Sequence, residues 1–174
     1  QYINGIMIDL NFIKELKAKF PELLIIADGT QFCGVSDFNF ETSGIDILGA
    51  SAYKWLNAGY GNGFFLFKES VKELVQPKSI GFNSWGTKYK EEQSFIGKFE
   101  PGHLDTLAFG TLSAAIGLIK AVGIQNIESQ VNHLKSKAKE EFTTRDLLQT
   151  HVKNREIHSS IFNITGDEKL FNKL

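Results

Sequence analysis

The hydrophobic positions of the chain change their spacing from segment to segment, and this spacing predicts helices and strands in alternation. From Leu10 to Phe20 apolar residues recur every three or four positions with charged residues opposite, which is the helical pattern. Asp9 stands where a helix cap is expected, and Pro21 stands where the helix must end. Short apolar runs predict strands at residues 22–28, 45–51 and 63–67, and a looser alternation predicts another at residues 1–8. The run at residues 22–28 is continuous, which is typical of a strand buried on both faces.

The second half of the chain predicts two long helices followed by a smaller mixed region. Helical spacing runs through residues 107–122 and again through residues 124–142, with Gly123 between them. Residues 156–164 alternate and predict a strand. Residues 79–102 carry little regular pattern, and an irregular segment of this length is often a functional loop.

The order of these elements predicts an α/β fold. A strand, a helix and a second strand form a unit in which ligands bind beyond the carboxyl ends of the strands. We place a domain boundary between residues 1–106 and residues 107–174, the second part being a linking helix and the beginning of a smaller α/β domain. The chain has no initiator methionine and stops inside a predicted helix, so we expect a fragment of a longer protein.

Composition narrows the classes of partner. The net charge is −1 over 174 residues and no basic stripe is present, which argues against nucleic acid and anionic membranes as partners. No apolar run approaches the length of a membrane span, and the N-terminus has no signal-peptide pattern. The one cysteine, Cys33, excludes an intrachain disulfide framework and fits a reducing compartment. We therefore expect a cytoplasmic protein.

Three side chains fall close to the carboxyl ends of two predicted strands: Asp28, Gln31 and Lys54. Taken singly, each has an ordinary structural interpretation. Asp28 is then a turn residue, Gln31 a loop amide, and Lys54 a lysine whose ammonium group reaches water. Burial of Lys54 between Tyr53 and Trp55 would favour its neutral amine and make it a nucleophile. Together the three match pyridoxal phosphate, which needs a lysine for its aldehyde, a carboxylate for its ring nitrogen and a donor beside its phenolic oxygen.

The runs Ala27-Asp28-Gly29-Thr30-Gln31 and Ser51-Ala52-Tyr53-Lys54 resemble the class V aminotransferases, a family of fold-type I pyridoxal-phosphate enzymes. The family includes cysteine desulfurases, kynureninases and isopenicillin-epimerase-like proteins, and the resemblance covers roughly residues 1 to 122. It implies that Lys54 forms the internal aldimine, that Asp28 pairs with the pyridinium and that Gln31 contacts the phenolic oxygen. It further implies that Ser51 and Tyr53 bind the phosphate, that the substrate is an amino acid, and that the site lies at the interface of a homodimer.

Two regions of the sequence allow this chain to be compared with individual members of the family. The segment after Lys54, an aromatic residue followed by Leu-Asn-Ala-Gly, is similar to kynureninases, as is the pair Trp85-Gly86, which in those enzymes lies near the cofactor. Gln31 stands where kynureninases usually carry histidine, and Tyr53 where cysteine desulfurases usually do. Many relatives have a threonine after Glu-x-Gly that reaches the phosphate of the neighbouring subunit. Here His103 occupies that place, and Asp105 or Thr106 is the candidate for the contact.

Other chemistry and other functions fit less well. Cys33 lies beside the motif and is interpreted as a core residue, and no Cys/His spacing predicts a metal site. A nucleotide-binding domain is the alternative that Gly59, Gly61 and Gly63 suggest, but Phe64 breaks the spacing and a strand follows instead of a helix. A non-catalytic relative of the fold is the other alternative. Because the family's upstream phosphate loop and C-terminal arginine are missing, we expect this chain alone to bind the cofactor weakly and to turn over nothing.

Overall fold

The computed structural model describes residues 1–84 and 95–172 of the chain. Its strands are β1 (Ile26–Asp28), β2 (Ile47–Ser51) and β3 (Gly63–Phe67). Its α-helices are α1 (Leu10–Lys19), α2 (Thr106–Val122), α3 (Ile124–Thr144), α4 (Thr150–Lys153) and α5 (Glu168–Phe171). Two stretches of 3₁₀ helix lie at Glu69–Leu74 and Ile96–Phe99. The predicted α/β class is therefore correct for the described residues.

The three strands form one mixed sheet in the order β1-β2-β3. β1 runs parallel to β2, with Asp28 beside Gly49, and β3 runs antiparallel to β2, with Gly63 beside Ser51. The carboxyl ends of β1 and β2 therefore lie at the same edge of the sheet. Asp28 lies at that edge, and the turn that carries Lys54 follows β2 there. In such a fold a ligand site is expected at this edge.

Local signals in the sequence account for the helix boundaries. Asp9 caps α1 as predicted, because its side-chain carboxylate accepts a hydrogen bond from the backbone N–H of Asn11 at 2.8 Å. Gly123 separates α2 from α3 and adopts a φ of +87°, a left-handed conformation that glycine reaches without strain. The two long helices predicted by periodicity are thus both present.

The core lies between the sheet and α2. Its buried members come from the loop after β1, from β2 and its flanks, and from α2: Cys33, Ile45, Leu48, Ala50, Ala52, Leu56 and Leu112. Beneath it, the side chain of Asp46 is buried and accepts hydrogen bonds from Lys17 Nζ at 2.8 Å and from the backbone N–H of Ile25 at 2.9 Å. This ion pair fastens α1 to the start of β2.

Three expectations about strands are wrong. The predicted strand at residues 1–8 is replaced by a turn over residues 2–4 and an isolated bridge at Ile6. The partner of that bridge is His158, and nothing else of the predicted strand at residues 156–164 is present. β1 is shorter than predicted and is not buried on both faces, since Ile26 is 63% exposed. The reason is topological: among the described residues β1 pairs with β2 alone, so one side of it lies at the edge of the sheet.

A helix that spans a membrane must be both long and apolar. Within the described residues no single helix is both long enough and apolar enough to cross it. Taken as a pair, α2 and α3 reach the necessary length and composition, but the chain bends by 78° between them.

Candidate functional site

Asp28 ends β1 and presents its carboxylate at the open edge of the sheet. The side chain is exposed, and its Oδ1 accepts a hydrogen bond from the backbone N–H of Thr30 at 2.8 Å. Hydrogen bonds from the Thr30 side chain and then from its backbone hold the pKa of Asp28 below the ordinary value, against a smaller opposing effect of burial. Asp28 is therefore a carboxylate, and negatively charged, at neutral pH.

Thr30 ties the loop after β1 to the end of β2. Its Oγ1 accepts a hydrogen bond from the backbone N–H of Ser51 at 3.0 Å, while the backbone N–H of Gly29 donates to the carbonyl of Gly49 at 2.7 Å. Thr30 thus touches both Asp28 and Ser51, two of the predicted site residues. Sequence reasoning gave it no role, although its place between Asp28 and Gln31 in the motif was the available signal.

Gln31 is joined to the turn that follows β2. Its Oε1 accepts a hydrogen bond from the indole Nε1–H of Trp55 at 2.8 Å. Trp55 is the residue after Lys54, so this bond brings the amide of Gln31 next to the lysine turn. Trp55 was not predicted as a site residue, because its partner lies 24 positions away in the sequence and only the fold brings them together.

Lys54 stands in an aromatic setting, but it is not buried. Its Nζ lies 5.1 Å from the ring centroid of Tyr53, and that ring stacks on Tyr60 with centroids 5.4 Å apart. Lys54, Tyr53 and Tyr60 are all exposed. The expectation of a desolvated lysine between two aromatic residues is therefore wrong for this structure. The amine lies in a turn beyond the strand end, where it is open to solvent and to a ligand.

The glycine-rich turn after Lys54 is fastened to α2. Thr111 Oγ1 accepts hydrogen bonds from the backbone N–H of Gly59 and from Asn62 Nδ2, each at 3.1 Å. Asn62 Nδ2 also donates to the carbonyl of Ala108 at 2.7 Å. The nucleotide-binding alternative would place a helix N-terminus after these glycines, but β3 follows them instead.

Of the remaining predicted residues, Ser51 and Thr106 belong to the described strands and helices. Ser51 is the last residue of β2 and is half-buried, whereas Thr106 is the exposed first residue of α2, whose cap is Asp105. Within the described residues no hydrogen bond joins Thr106 to Asp28, Gln31 or Lys54. Trp85 lies outside the described residues.

The site lies on an open edge of the sheet. Two depressions of the described surface lie elsewhere, one lined by residues 37–40 and the other along α3. Within residues 1–84 and 95–172, no three His, Cys, Asp or Glu side chains gather closely enough to hold a metal ion. The structure therefore joins the segment that carries Asp28 and Gln31 to the segment that carries Ser51 and Lys54, and Thr30 and Trp55 make the joining hydrogen bonds.

Comparison with sequence families identifies one family, and comparison with solved structures identifies the fold. The sequence model of the family described as aminotransferase class-V matches residues 2–170. No curated protein matches the chain significantly. Among solved structures, an apo cysteine desulfurase from Thermococcus onnurineus NA1 matches with a TM-score of 0.70 and 22% identity, over 88% of this chain and 40% of that one.

Two aminotransferase structures give similar matches. A phosphoserine aminotransferase from Cytophaga hutchinsonii has a TM-score of 0.75 and 18% identity, covering 99% of this chain and 49% of that one. An alanine–glyoxylate aminotransferase from Nostoc sp. has a TM-score of 0.64 and 18% identity, covering 89% and 41%. At these identities the likeness concerns the fold, and it confirms the predicted fold class. The chain spans less than half the length of each of these proteins.

Proposed function

We propose, from the premise that this chain belongs to the class-V aminotransferase family, that the protein containing it is a pyridoxal-phosphate-dependent enzyme acting on an amino acid. The observation that carries the proposal is that hydrogen bonds of Thr30 and Trp55 join the loop after β1 to the end of β2 and to the turn beyond it. The first segment carries the carboxylate of Asp28 and the amide of Gln31, and the turn carries the amine of Lys54.

The donor set fits the cofactor. Asp28 is ionised and exposed, as a partner of a cationic ring nitrogen must be. Gln31 presents Oε1 to Trp55, which leaves its NH2 group as a donor for an oxygen. Lys54 is an exposed primary amine. When bound, pyridoxal phosphate supplies an aldehyde that takes up primary amines and a ring that withdraws electrons from the carbon bearing the substrate amine.

Each residue of the chain then has a distinct task. Asp28 holds a proton at the ring nitrogen by its negative charge. Gln31 donates to the ring's phenolic oxygen. Lys54 provides the attachment point and, once its amine is free, moves a proton at Cα of the amino acid. Ser51 and Tyr53 are proposed to bind the phosphate, as is Thr106 from the neighbouring subunit, and Trp85 is proposed to lie near the ring.

The reaction and the assembly belong to the same proposal. Transamination, lyase or desulfurase chemistry, kynureninase-like cleavage and racemisation all begin with the proton transfer assigned to Lys54, so the class of reaction is an amino-acid transformation at or near Cα. A homodimer with the site at its interface, in the cytoplasm, is the expected setting. The chain by itself, carrying one side of the site, is proposed to bind the cofactor weakly and to be inactive.

The test is attachment of the cofactor to Lys54 in the intact protein that contains this chain. Pyridoxal phosphate is added, the visible absorbance of the protein is recorded, and the adduct is reduced with borohydride and located by peptide mass spectrometry. We expect a visible band, a labelled peptide that carries Lys54, and loss of both in Lys54→Ala. Lys120→Ala, which removes an exposed lysine on α2, is the matched control and should leave both unchanged.

Two results would reject the proposal. One is the lack of any visible band in the wild-type protein, which would leave the non-catalytic relative as the better reading. The other is a melting temperature that rises with NAD and does not respond to pyridoxal phosphate, which would favour the nucleotide-binding reading.

A further inference from the structure

We infer that Trp55 is a positioning residue that holds the amide of Gln31 in one orientation, so that its NH2 group always faces the ligand side of the loop. The site is thereby committed to a ligand that offers an acceptor oxygen at this point. This inference rests on the proposed function, in which that oxygen is the phenolic oxygen of pyridoxal phosphate. Trp55 itself does not touch the reacting atoms in this scheme and acts through Gln31.

The chemistry of the indole carries the argument. An indole Nε1–H can only donate, whereas a glutamine amide can donate through its nitrogen or accept through its oxygen. The Nε1 of Trp55 lies 2.8 Å from Gln31 Oε1. If the amide turned over, two donors would face each other at that distance, so the contact excludes the reversed orientation.

The other end of the amide is free to bind. Among the described residues, the Nε2 of Gln31 has no hydrogen-bond partner, and Gln31 is half-buried at the edge that also carries Asp28. An amide without Trp55 could present either its oxygen or its nitrogen to a ligand. With Trp55 in place it presents a donor only, which suits a negatively charged oxygen.

Trp55 is itself held in position. Gly34 adopts a φ of +95°, and a Cβ built on it would lie 2.7 Å from the carbonyl oxygen of Trp55, so the two backbones pass in close contact. The next residue, Leu56, is 8% exposed and belongs to the core. The indole is thus attached to a fixed piece of backbone, which is what a residue that orients another requires.

The first experiment needs no cofactor. The intact protein is labelled with [15N-indole]tryptophan, and the resonance of Trp55 is assigned by its loss in Trp55→Phe. We expect the indole N–H resonance to move upfield in Gln31→Leu, where the acceptor is gone. It should not move upfield in Gln31→Glu, whose carboxylate can still accept from the indole and does so at least as strongly as the amide. An indole resonance that is the same in the wild type and in Gln31→Leu would overturn the inference.

The second experiment measures the pH at which the absorbance of the bound cofactor changes. A donor at the phenolic oxygen stabilises its negative charge, so loss of an oriented donor should raise this midpoint. We expect Trp55→Phe to raise it by about half a unit to one unit, the effect of one hydrogen bond, together with a roughly threefold to tenfold weaker cofactor affinity. Gln31→Glu should raise the midpoint as well, although its indole contact is intact, because a carboxylate has no donor.

A double-mutant cycle separates positioning from packing. If Trp55 acts through Gln31, the Trp55→Phe change should add nothing to the midpoint once Gln31→Leu is present. The same shift in both backgrounds would mean that Trp55 acts by packing or stacking, and would reject its role as a positioning residue. Failure of the proposed function would give a different result from failure of this inference. The wild-type protein would then show no visible band, while the indole measurement on the cofactor-free protein would still decide the orientation of Gln31.

Discussion

The two ends of the parallel strand pair each carry an aspartate, and their surroundings are opposite. At the carboxyl end Asp28 is exposed, and among the described residues only Thr30 donates hydrogen bonds to it. At the other end Asp46 is 1% exposed, pairs with Lys17 and accepts from the backbone N–H of Ile25. Within the described part of the chain, one end is thus closed by internal partners and the other keeps its charge available.

The difference separates a structural carboxylate from a candidate binding carboxylate. A buried charge is tolerable only when a partner neutralises it and hydrogen bonds stabilise it. Asp46 has both, because its Oδ2 accepts from the Lys17 ammonium and from the backbone N–H of Ile25. An exposed carboxylate without an ion-pair partner costs little to keep and can accept a cationic ligand group. The same residue type therefore serves opposite purposes at the two ends, and mutations can test that division.

The largest expected effect is on stability, at the closed end. Asp46→Ala removes the buried partner of a partly buried ion pair and leaves the Ile25 N–H without its acceptor. Because two hydrogen bonds to a charged group are lost, we expect the free energy of unfolding to fall by about 3 kcal/mol. Asp28→Ala is the matched control at the open end, and should cost about 1 kcal/mol or less because the side chain is exposed. Urea unfolding measures both. Equal losses would contradict the division between the two ends.

The next effect concerns Cys33, which lies close to the carboxyl end of β1. Its Sγ is 2.9 Å from the position that a Cβ atom on Gly29 would occupy. Burial, followed by the charge of Asp28, raises the pKa of the Cys33 thiol from 9.0 to about 11. Above pH 9 the unfolded chain therefore loses the thiol proton while the folded protein keeps it. The stability present below pH 9 should be lost as the pH rises towards 11, by roughly 3 kcal/mol in all.

Cys33→Ala provides the comparison for that pH dependence, because it removes the thiol and keeps all other groups that titrate in alkali. Unfolding free energies of the two proteins, measured from pH 8 to 11, should converge as the pH rises. In Asp28→Asn the thiol should react with iodoacetamide at lower pH than in the wild type, since one cause of the raised pKa is gone. Parallel stability curves for wild type and Cys33→Ala would show that the thiol does not titrate differently on folding.

The elements that could be predicted from the sequence are those with local signals. The Asp9 cap lies two residues from its partner, and the long helices α2 and α3 each repeat their apolar spacing over many turns. The strands β2 and β3 were located closely for the same reason. Such features depend on residues that are near one another in the sequence, so they can be predicted from one sequence alone.

Contacts between distant residues could not be predicted. Lys17 and Asp46 are 29 positions apart, and Gln31 and Trp55 are 24 apart, so their pairing depends on strand register and loop path. The exposure of Lys54 was missed for a related reason. Its aromatic neighbours suggested burial, but Tyr53 stacks on Tyr60 in the exposed turn and contacts the amine without burying it. Patterns of residue type report what is adjacent, and they do not report which side of a turn faces solvent.

The smallest effect tests Thr30, the residue that holds the open end together. Thr30→Val removes a hydroxyl that bonds Asp28 and accepts from Ser51 N–H, so we expect a loss of about 1 kcal/mol, with Thr30→Ser as the control that retains both contacts. The pKa of Asp28 should rise towards 3.8 in Thr30→Val, as followed by carbon NMR of its carboxyl group.

This change in pKa should also alter the pH dependence of stability. Because the folded pKa of Asp28 lies below its unfolded value, Asp28 stabilises the protein at a pH above the unfolded pKa and loses this contribution as the pH falls through its folded pKa. The acid limb of the wild-type stability curve should therefore be slightly steeper than that of Thr30→Val. An unchanged Asp28 pKa in Thr30→Val would mean that the backbone N–H alone keeps the carboxylate charged, and that the threonine serves only to join the two strands.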